Sequence, residues 1–297
     1  MRVTQNMMAN SLLQHISSGY SKLADYQNQL SSGKKITKPS DDPVVATMGI
    51  AYRTDVDHVE QYQKNVTTAQ KWMDSSDTAL SQVDDVLNRV RDLTVEASNG
   101  TYTPDQRTAA QAEVSQLTQQ LVNLGNTQVG GQYIFHGNDS STPLLQQDSS
   151  SGAVSVITHG GSSPDVSIAV NDGIQMTINV PPDSVFTSQM FSDLSDLQTA
   201  FTSGSSSDIS AFLDKIDTHL DAVSTAQADL GAKENRLDMV SNRLSDQKTT
   251  ATQIMSTNED ADYAETIINL NQQQNVYNAS LSVGARVIQQ SLVDYLR

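Results

Sequence analysis

The feature that most constrains this chain is a stripe of apolar residues that runs from Val45 to Ala97 at alternating steps of three and four. Asp55, Ser76 and Thr94 are the polar members of the stripe. This alternation keeps side chains along one edge of an α-helix and is typical of helices that pack lengthwise against other helices. The stripe therefore predicts a single helix that is roughly 80 Å long at about 1.5 Å per residue.

Local signals mark both ends of this helix. Asp42 followed by Pro43 favours a helix start, because the Asp carboxylate can accept N–H groups of the first turn and Pro suits the first helical position. Asn99 and Gly100 favour a stop, since both residues tolerate the left-handed backbone that often ends a helix. We therefore expect one uninterrupted helix between these two signals.

A second stripe with the same spacing runs from Ile209 to Ala261. Helices that carry stripes of similar length bury the most apolar surface when they pack on each other, so we expect the two to form one helical domain. The core of this domain should consist of apolar members of both stripes. These predicted core residues are Val59, Val66, Met73, Leu80, Val83, Leu87, Val90, Leu230, Leu237, Val240, Leu244 and Ile254.

The region between the stripes begins with helical signals and changes to strand signals. Thr103 and Gln106 form a capping box ahead of a shorter helix. After Gly131 the apolar period changes to two, which is typical of strands. The predicted strands cover residues 132–136, 153–158, 166–170 and 174–180. Asn171, Asp172 and Gly173 predict a hairpin turn between the last two strands, and a short helix and a linker at 203–207 lead to the second stripe.

The two chain ends carry a third pair of stripes, which are narrower than the first two. We expect the helices that carry them to be weakly folded alone and to become ordered when other chains cover them, because so narrow a stripe buries little surface. The apolar members of these stripes are therefore the predicted polymer interface. They are Leu13, Ile16, Tyr20, Leu23, Leu30, Ile267, Leu270, Tyr277, Leu281, Ile288, Leu292 and Tyr295.

These patterns predict a mainly α protein in which long antiparallel coiled-coil helices fold back on themselves and carry a small β-rich insertion domain. Residues 1–42 and 259–297 are expected to form paired terminal helices in an inner coiled-coil layer. Residues 43–130 and 203–258 are expected to form the long-helix α-domain. Residues 131–202 are the expected β-rich outer insertion.

Composition excludes several classes of function. The net charge of −16 disfavours nucleic acid and anionic membranes as partners, because both require basic surfaces. Cysteine is absent, so there are no disulfides, thiolate metal sites or Cys nucleophile. The five His residues show no His-Glu-x-x-His spacing, and no glycine-rich phosphate loop or Gly-x-Ser-x-Gly motif occurs. We therefore expect no catalytic residues, no metal and no cofactor.

Two polar features have open interpretations. Lys34, Lys35 and Lys38 cluster in one loop, where they either contact acidic residues of a neighbouring subunit or are simply solvated. His219 falls on a heptad position of the second stripe, which favours a core or partner contact over a metal ligand.

Several segments resemble the flagellin superfamily of bacteria, and within it the FlgL-type hook-associated proteins. They are Met-Arg-Val-Thr-Gln-Asn-Met-Met at 1–8, Leu-Ser-Ser-Gly-Lys-Lys-Ile at 30–36, Pro-Ser-Asp-Asp-Pro at 39–43, the stretch 126–137 with Gly-Gly-Gln-Tyr-Ile-Phe, Asp-Ala-Asp-Tyr-Ala-Glu at 260–265 and Ser-Leu-Val-Asp-Tyr-Leu at 291–296. The resemblance covers both termini and both long helices, while the insertion shows no motif of its own.

The resemblance implies a structural adaptor of the flagellum with no enzymatic activity, assembled at the junction between hook and filament. Its implied partners are copies of itself, flagellin, the adjoining FlgK-type hook-associated protein and a FlgN-type export chaperone, with neither nucleic acid nor membrane. It also implies an extracellular location reached by type III export, without a cleaved signal peptide. Two alternatives remain open: flagellin itself, and an enzyme or adhesin displayed on the filament.

Overall fold

The computed structural model describes residues 5–148, 153–157 and 165–293. Long antiparallel helices dominate it, with small pairs of antiparallel strands in the middle of the chain, which confirms the predicted fold class. The helices are α1 (Gln5–Ser32), α2 (Pro43–Ser98), α3 (Pro104–Gly125), α4 (Pro182–Val185), α5 (Ser188–Ser203), α6 (Ser206–Ser210), α7 (Phe212–Glu259) and α8 (Tyr263–Val293). The strands are β1 (Gln128–Val129), β2 (Gln132–Tyr133), β3 (Leu145–Gln147), β4 (Val154–Val156), β5 (Ser167–Asn171) and β6 (Ile174–Thr177).

The chain divides into two compact units. Residues 1–58 and 247–297 form one, here called the terminal unit, and residues 59–246 form the other, the central unit. Helices α2 and α7 each contribute residues to both units. The three-part division predicted from the sequence, with boundaries after 42, 130, 202 and 258, stays a prediction.

The signals at the ends of α2 act as the sequence indicates. Asp42 Oδ1 accepts the backbone N–H groups of Val44 at 2.9 Å and Val45 at 3.1 Å, so it satisfies two donors that have no partner inside the helix. The helix then runs from Pro43 to Ser98 without interruption. The Thr103 capping box at the start of α3 is also present.

The core of the central unit lies between α2, α7 and the elements that cover them. The two long helices run antiparallel, as shown by Gln70 Nε2 donating to Asp238 Oδ1 at 3.1 Å and Arg91 Nε donating to Asp217 Oδ1 at 2.6 Å. Nine of the predicted core residues are buried: Val66, Met73, Leu80, Val83, Leu87, Val90, Leu230, Leu237 and Leu244. Val59 and Val240 are half-buried against the same cluster.

Two polar members of the α2 stripe are fully buried without breaking the core. The hydroxyl of Ser76 donates to the carbonyl oxygen of Trp72 at 2.9 Å, and that of Thr94 donates to Val90 at 2.7 Å. A hydroxyl bonded to the carbonyl four residues earlier needs no partner from another element. These positions therefore act as small core residues.

Ile254 is the one predicted core residue that the structure contradicts. Its side chain is 45% exposed. At this end of α7 the half-buried Ala251 and Met255 and the buried Glu259 follow each other at steps of four. A strict three–four alternation drifts from the face of a straight helix by roughly 20° per heptad, so the extrapolated stripe leaves the covered face before it reaches Ile254.

The middle of the chain matches the strand prediction only in part. The hairpin β5–β6 is present, with Gly173 in the left-handed region at φ 64°. The strand predicted at 132–136 stops at Tyr133, because Ile134 and Phe135 are both fully buried and cannot alternate between two faces of a sheet. The strand predicted at 153–158 covers Val154–Val156, and residue 158 lies outside the described residues.

The remaining differences are small helices and two short strands. Strands β1 and β3 and helix α4 have no predicted counterpart, and the predicted linker at 203–207 contains the start of α6, capped by Ser205. Ile209 belongs to α6, so the second long helix begins three residues later, at Phe212.

The predicted insertion shares its core with the long helices. The rings of Phe135 and Phe186 meet edge to face with centroids 5.0 Å apart. Both belong to the same buried cluster as the α2 and α7 stripes. Gly125, at the end of α3, packs against Leu145 and Phe186, where an added Cβ would have no room.

We expect Leu87→Asp to unfold the central unit, because Leu87 is fully buried in α2 and a charge there would have no partner. The free energy of unfolding should fall by more than about 4 kcal/mol in a denaturant titration followed by circular dichroism. Met239→Asp is the control, since Met239 is 66% exposed on α7 and should change stability by less than about 1 kcal/mol. Equal stability of the two variants would contradict the stripe assignment.

Candidate assembly surface

Helices α1 and α8 pair in an antiparallel arrangement at short distance within the terminal unit. Gln273 Nε2 donates to the carbonyl oxygen of Gly19 at 3.3 Å. A Cβ added at Gly284 would lie 2.9 Å from Leu12 Cδ2, so a larger residue there would require the Leu12 side chain to shift. The rings of Tyr20 and Tyr277 meet with centroids 6.2 Å apart.

The predicted interface residues divide into two groups on these helices. Ile16, Leu23, Leu30, Leu270 and Tyr277 are half-buried in the pair. Leu13 and Tyr20 on α1 and Ile267 and Leu281 on α8 are between 43% and 62% exposed. The side chains of Ile288 and Leu292, and all of Tyr295, lie outside the described residues.

This division follows from where α8 lies against α1. In a symmetric coiled coil both apolar positions of each heptad face the single partner helix, but here α8 covers only one of the two. In the α1–α8 pair the covered side holds Ile16 and Leu23, and the uncovered side holds Leu13 and Tyr20. The pair therefore leaves half of each stripe in contact with solvent.

Exposed apolar side chains are concentrated in the terminal unit. Of the seventeen large hydrophobic side chains that are exposed in the described part of the chain, only Val95, Ile174 and Met239 belong to the central unit. The other fourteen are Met7, Met8, Leu13, Tyr20, Val44, Met48, Ile50, Ile254, Tyr263, Ile267, Ile268, Val276, Leu281 and Val283. Such a concentration of exposed apolar side chains is typical of a unit that contacts other chains.

Three exposed residues of α8 are not part of the interface predicted from the sequence. Ile268, Val276 and Val283 are between 50% and 65% exposed and follow each other at steps of eight and seven. Those steps return to the same side of a helix after about two turns, so the signal was present in the sequence. The closer-spaced stripe from Ile267 to Leu281 runs beside these residues and masks their periodicity.

Two backbone hydrogen bonds, here called the bridge, join the loop after α1 to the segment between α7 and α8. Lys35 N–H donates to the carbonyl oxygen of Glu259 at 2.6 Å, and Ala261 N–H donates to that of Gly33 at 2.9 Å. Gly33 has φ 71°, a left-handed conformation that other residues rarely adopt, and it directly follows the end of α1. The loop after α1 is thus fixed to the segment that precedes α8.

A cluster of charged side chains lies at this bridge. The carboxylate of Glu259 is almost fully buried and accepts from Arg53 Nη2 at 2.6 Å and Nε at 3.1 Å. Lys34 Nζ lies 2.7 Å from Asp260 Oδ1 and 3.4 Å from Glu259 Oε2. Gly49 of α2 packs directly on Glu259 Oε1, where a side chain would displace the carboxylate. One buried acid therefore joins α2, α7 and the loop after α1.

The cluster shifts the pKa values of its members. Burial alone would raise the pKa of Glu259, but the hydrogen bonds from Arg53 and Lys34 outweigh it and hold that pKa below the ordinary value of 4.5. The hydrogen bond from Lys34 lowers the pKa of Asp260, and the same bond raises the pKa of Lys34. All three groups are therefore stabilised in their charged forms.

Lys34 and Lys35 of the lysine cluster neither require a neighbouring subunit nor are simply solvated, which were the two interpretations of the sequence. Lys34 pairs with acids of its own chain, and Lys35 Nζ donates to the carbonyl oxygen of Thr257 at 2.7 Å. The loop is fixed further by Asp41, whose carboxylate accepts the N–H groups of Thr37 and Lys38. Lys34 and Lys35 thus hold the terminal unit together, and neither requires a neighbouring subunit.

His219 does not lie in an apolar core position. Its Nε2 is 3.0 Å from Asp193 Oδ2, and Lys215 Nζ is 2.8 Å from the other carboxylate oxygen. Burial favours the neutral form of Asp193, but the hydrogen bonds from Lys215, His219 and Gln189 outweigh it, so its pKa is lowered. The arrangement joins α5 to α7 and has no nucleophile, which indicates a structural role.

Within the described ranges there is neither a candidate metal site nor a candidate membrane span. No group of three or more His, Cys, Asp or Glu side chains there could hold a metal ion. Across the same residues, none of the helices combines the length and apolar character needed to cross a membrane.

The charge of the chain is divided unequally between the two units. Residues 1–58 and 247–297 contain nine Lys and Arg and ten Asp and Glu, a net charge of −1. The whole chain has 18 and 34, so residues 59–246 contain nine and 24, a net charge of −15. The apolar surface thus belongs to a nearly neutral unit, in which copies can approach without strong repulsion.

Comparison with known proteins gives a consistent result. Residues 3–140 match the family model for the bacterial flagellin N-terminal helical region, and residues 213–296 match that for the C-terminal helical region. Flagellar hook-associated protein 3 of Escherichia coli strain K12 is 29% identical over 300 residues, which cover 94% of this chain and 95% of that protein. Flagellin of Bacillus subtilis strain 168 is 27% identical over 303 residues, covering 98% and 97%.

A solved structure shares the fold. The structure of a flagellar hook-associated protein from Vibrio parahaemolyticus superposes with a TM-score of 0.67 at 23% identity. The superposition covers 74% of this chain and all of that one.

We expect Glu259→Gln to loosen the bridge, because the neutral amide loses its ion pairs with Arg53 and Lys34. Both partners are partly exposed, so the loss should be about 1–2 kcal/mol, seen as weaker hydrogen-exchange protection of the Lys35 and Ala261 amides. Folding lowers the pKa of Glu259, so the parent should lose this protection as the pH falls below the ordinary value of 4.5. Glu259→Gln should respond less, because only Asp260, whose pKa is also lowered, still titrates at the bridge.

Glu113→Gln is the matched control for this prediction. It removes the exposed ion pair between Glu113 and Arg89 in the central unit, which should contribute little to stability. If Glu259→Gln and Glu113→Gln left the Lys35 and Ala261 amides equally protected, the buried carboxylate would not hold the bridge.

Proposed function

The chain belongs to the flagellin family, and on that premise we propose that it is a structural adaptor of the bacterial flagellum that assembles at the hook–filament junction. In this role copies of the chain join another hook-associated protein on one side to the flagellin filament on the other. The work is mechanical, so it needs complementary surfaces and no reactive groups.

The observation that carries this proposal is the identity with hook-associated protein 3, which is higher than that with flagellin over nearly the whole chain. The alignment covers 94% of this chain and 95% of the relative, so it includes the central region as well as the two helical regions common to flagellins. The segment at 126–137 contains Gly-Gly-Gln-Tyr-Ile-Phe. This sequence favours a hook-associated protein over flagellin.

The terminal unit has the properties that such an adaptor requires. It exposes apolar side chains on a pair of helices that cannot cover them alone, and its net charge is close to zero. Covering these side chains with other copies removes them from water, at roughly 25 cal/mol per Å² of apolar surface. Repeated contacts of this kind build extended assemblies.

The proposed partners are copies of the chain, flagellin, a FlgK-type hook-associated protein and a FlgN-type export chaperone. The location is the extracellular flagellum, reached by type III export without a cleaved signal peptide. A chaperone would cover the exposed apolar side chains of α8 before assembly.

Flagellin itself is the second candidate function. Flagellin of Bacillus subtilis is 27% identical over 98% of this chain, a slightly longer match than that to the hook-associated protein, at slightly lower identity. The two functions require the same terminal helices, so they differ in where the protein accumulates.

We expect the tagged protein to label one short zone at the base of each filament in fluorescence images of living cells. A deletion strain should keep its hooks and lose its filaments, because the adaptor would be missing between them. Labelled flagellin, which marks the whole filament, is the control. Labelling along the entire filament would establish the flagellin alternative instead.

Association of the purified chain should be weaker at low salt. Repulsion between the central units, each with net charge −15, extends over about 30 Å at 0.01 M salt and about 8 Å at physiological ionic strength. The apolar contacts of the terminal units depend little on salt in this range. Sedimentation velocity should therefore show the onset of association at higher salt, at a fixed protein concentration.

A charge-reduced variant tests the cause. Asp77→Asn, Asp172→Asn and Asp221→Asn together remove three exposed acids from the central unit and should move the onset to lower salt. If the onset did not move, the acidic central unit would not be the source of the repulsion.

A further inference from the structure

The turn between α2 and α3 contains Asn99, the one asparagine of this chain that is followed by glycine. Asn99 and Gly100 come directly after the last residue of α2, and both are exposed to solvent. Gly100 has no side chain, and a Cβ added there would meet no atom within 4 Å. Water and hydroxide therefore reach the peptide bond between the two residues without obstruction.

The backbone N–H of Gly100 is not engaged in the fold. Among the residues that the structure describes it has no hydrogen-bond acceptor. The N–H groups on either side of it in the turn are bonded: that of Asn99 donates to the carbonyl oxygen of Glu96 at 3.2 Å, and that of Tyr102 donates to the carbonyl oxygen of Asn99 at 3.0 Å. The nitrogen of Gly100 can thus lose its proton without the loss of a hydrogen bond.

The side chain of Asn99 is folded towards this nitrogen. Its Oδ1 accepts the backbone N–H of Thr101 at 3.3 Å and the Thr101 hydroxyl at 3.2 Å. Gly100 lies between the two bonded residues, so the ring closed by the first of these hydrogen bonds includes both the Asn99 Cγ and the Gly100 nitrogen. The two donors also stabilise negative charge that develops on Oδ1, as donors in an oxyanion hole do.

We propose that Asn99 is a site of spontaneous modification, at which water converts the side-chain amide to aspartate and isoaspartate without an enzyme. Asparagine is among the thermolabile residues, and this inference does not depend on the proposed function. In the first step the Gly100 nitrogen gives its proton to hydroxide, and its electron pair forms a bond to Asn99 Cγ. The bond from Cγ to Nδ2 then breaks, and ammonia leaves with that electron pair and a proton from water. A five-membered imide remains.

Water opens the imide at one of its two bonds to the former Gly100 nitrogen. Cleavage of the bond to Cγ gives aspartate, and cleavage of the bond to the main-chain carbonyl carbon of Asn99 gives isoaspartate, in which the backbone is one CH₂ group longer. The oxygen of the water enters the new carboxyl group, and one of its protons returns to the nitrogen. Each event therefore releases one ammonia and adds one negative charge to the central unit.

No other asparagine in the chain precedes a glycine, and several are also protected by their contacts. Asn126 is followed by Thr127, and both polar atoms of its amide are bonded to the backbone of Leu145. Asn179 is fully buried. A side chain on the following residue crowds the attacking nitrogen, and an amide that is fixed elsewhere does not reach the geometry of attack. Asn99 should therefore react first.

The modification changes the connection between α2 and α3. The C-terminal end of a helix carries partial negative charge, so a carboxylate at position 99 would be repelled by α2, and by Glu96 one turn earlier. Tyr102 packs against the core of the central unit and donates its N–H to the carbonyl oxygen of Asn99. The longer backbone of isoaspartate displaces that carbonyl from Tyr102.

The test follows the full-length chain during incubation in warm, mildly alkaline buffer. After digestion with trypsin, mass spectrometry measures the conversion in peptide 92–107, in which Asn99 is the only asparagine. Incubation in water enriched in heavy oxygen should add one heavy oxygen atom per event at this residue. The conversion should become faster as the pH rises, because the attacking nitrogen must lose its proton. Ion-exchange chromatography should show a product that elutes with the Asn99→Asp variant.

Three variants separate the parts of the mechanism. Gly100→Ala should keep the fold, because Gly100 is not in the left-handed region and has space for a Cβ. It should react roughly tenfold or more slowly than the parent, because the added methyl group obstructs the attack. Thr101→Val removes the hydroxyl donor and should react roughly two- to tenfold more slowly, which corresponds to one hydrogen bond. Thr101→Ser keeps the donor and should keep the parent rate.

Circular dichroism confirms that each variant is folded before the rates are compared. If Asn99 stayed intact while other asparagines were converted, or if Gly100→Ala reacted as fast as the parent, Asn99 would not be the site. If Thr101→Val kept the parent rate, or if Thr101→Ser were as slow as Thr101→Val, the hydroxyl would not assist and this mechanism would be overturned. None of these results bears on assembly, so the proposed function is tested separately.

Discussion

An apolar stripe on a helix must be covered across its full width, and this constraint separates the two parts of the molecule. In the central unit the stripes of α2 and α7 are covered by each other and by the middle of the chain, so that Leu80, Leu87 and Leu230 are fully buried. In the terminal unit α1 has only α8 as a partner. The same three–four spacing thus gives a fully covered core in the central unit and a partly covered stripe in the terminal unit. We propose that the partly covered stripe is the part that assembles with other chains.

The buried carboxylate of Glu259 links this surface to the long helices. A buried charge without partners would be costly, but here it accepts hydrogen bonds from Arg53 and lies close to Lys34. The partners come from α2 and from the loop after α1, so removing either one would leave the acid less well paired. Such an arrangement contributes modestly to stability, and it specifies one position for the base of the α1–α8 pair. Gly49 and Gly33 are required at this place for steric and backbone reasons respectively.

Much of the fold could be predicted because its signals are local. The bounds of α2 follow from Asp42, Pro43 and the residues after Ser98, and the β5–β6 hairpin follows from the turn at Gly173. What failed depends on packing partners. Ile254 lies on the extrapolated stripe, but the face that is covered at the end of α7 is set by its neighbours. Periodicity likewise could not show which half of the α1 stripe α8 would cover, and the second exposed row on α8 was hidden beside a denser stripe.

The unequal division of charge also determines how a single copy behaves before it meets another. A chain that exposes apolar side chains in this way is at risk of colloidal aggregation, in which molecules adhere in random orientations. The central unit counteracts this risk, since each approach of two copies brings two bodies of net charge −15 towards each other. The charge of the central unit therefore opposes unspecific adhesion between copies more strongly than the nearly neutral terminal unit does.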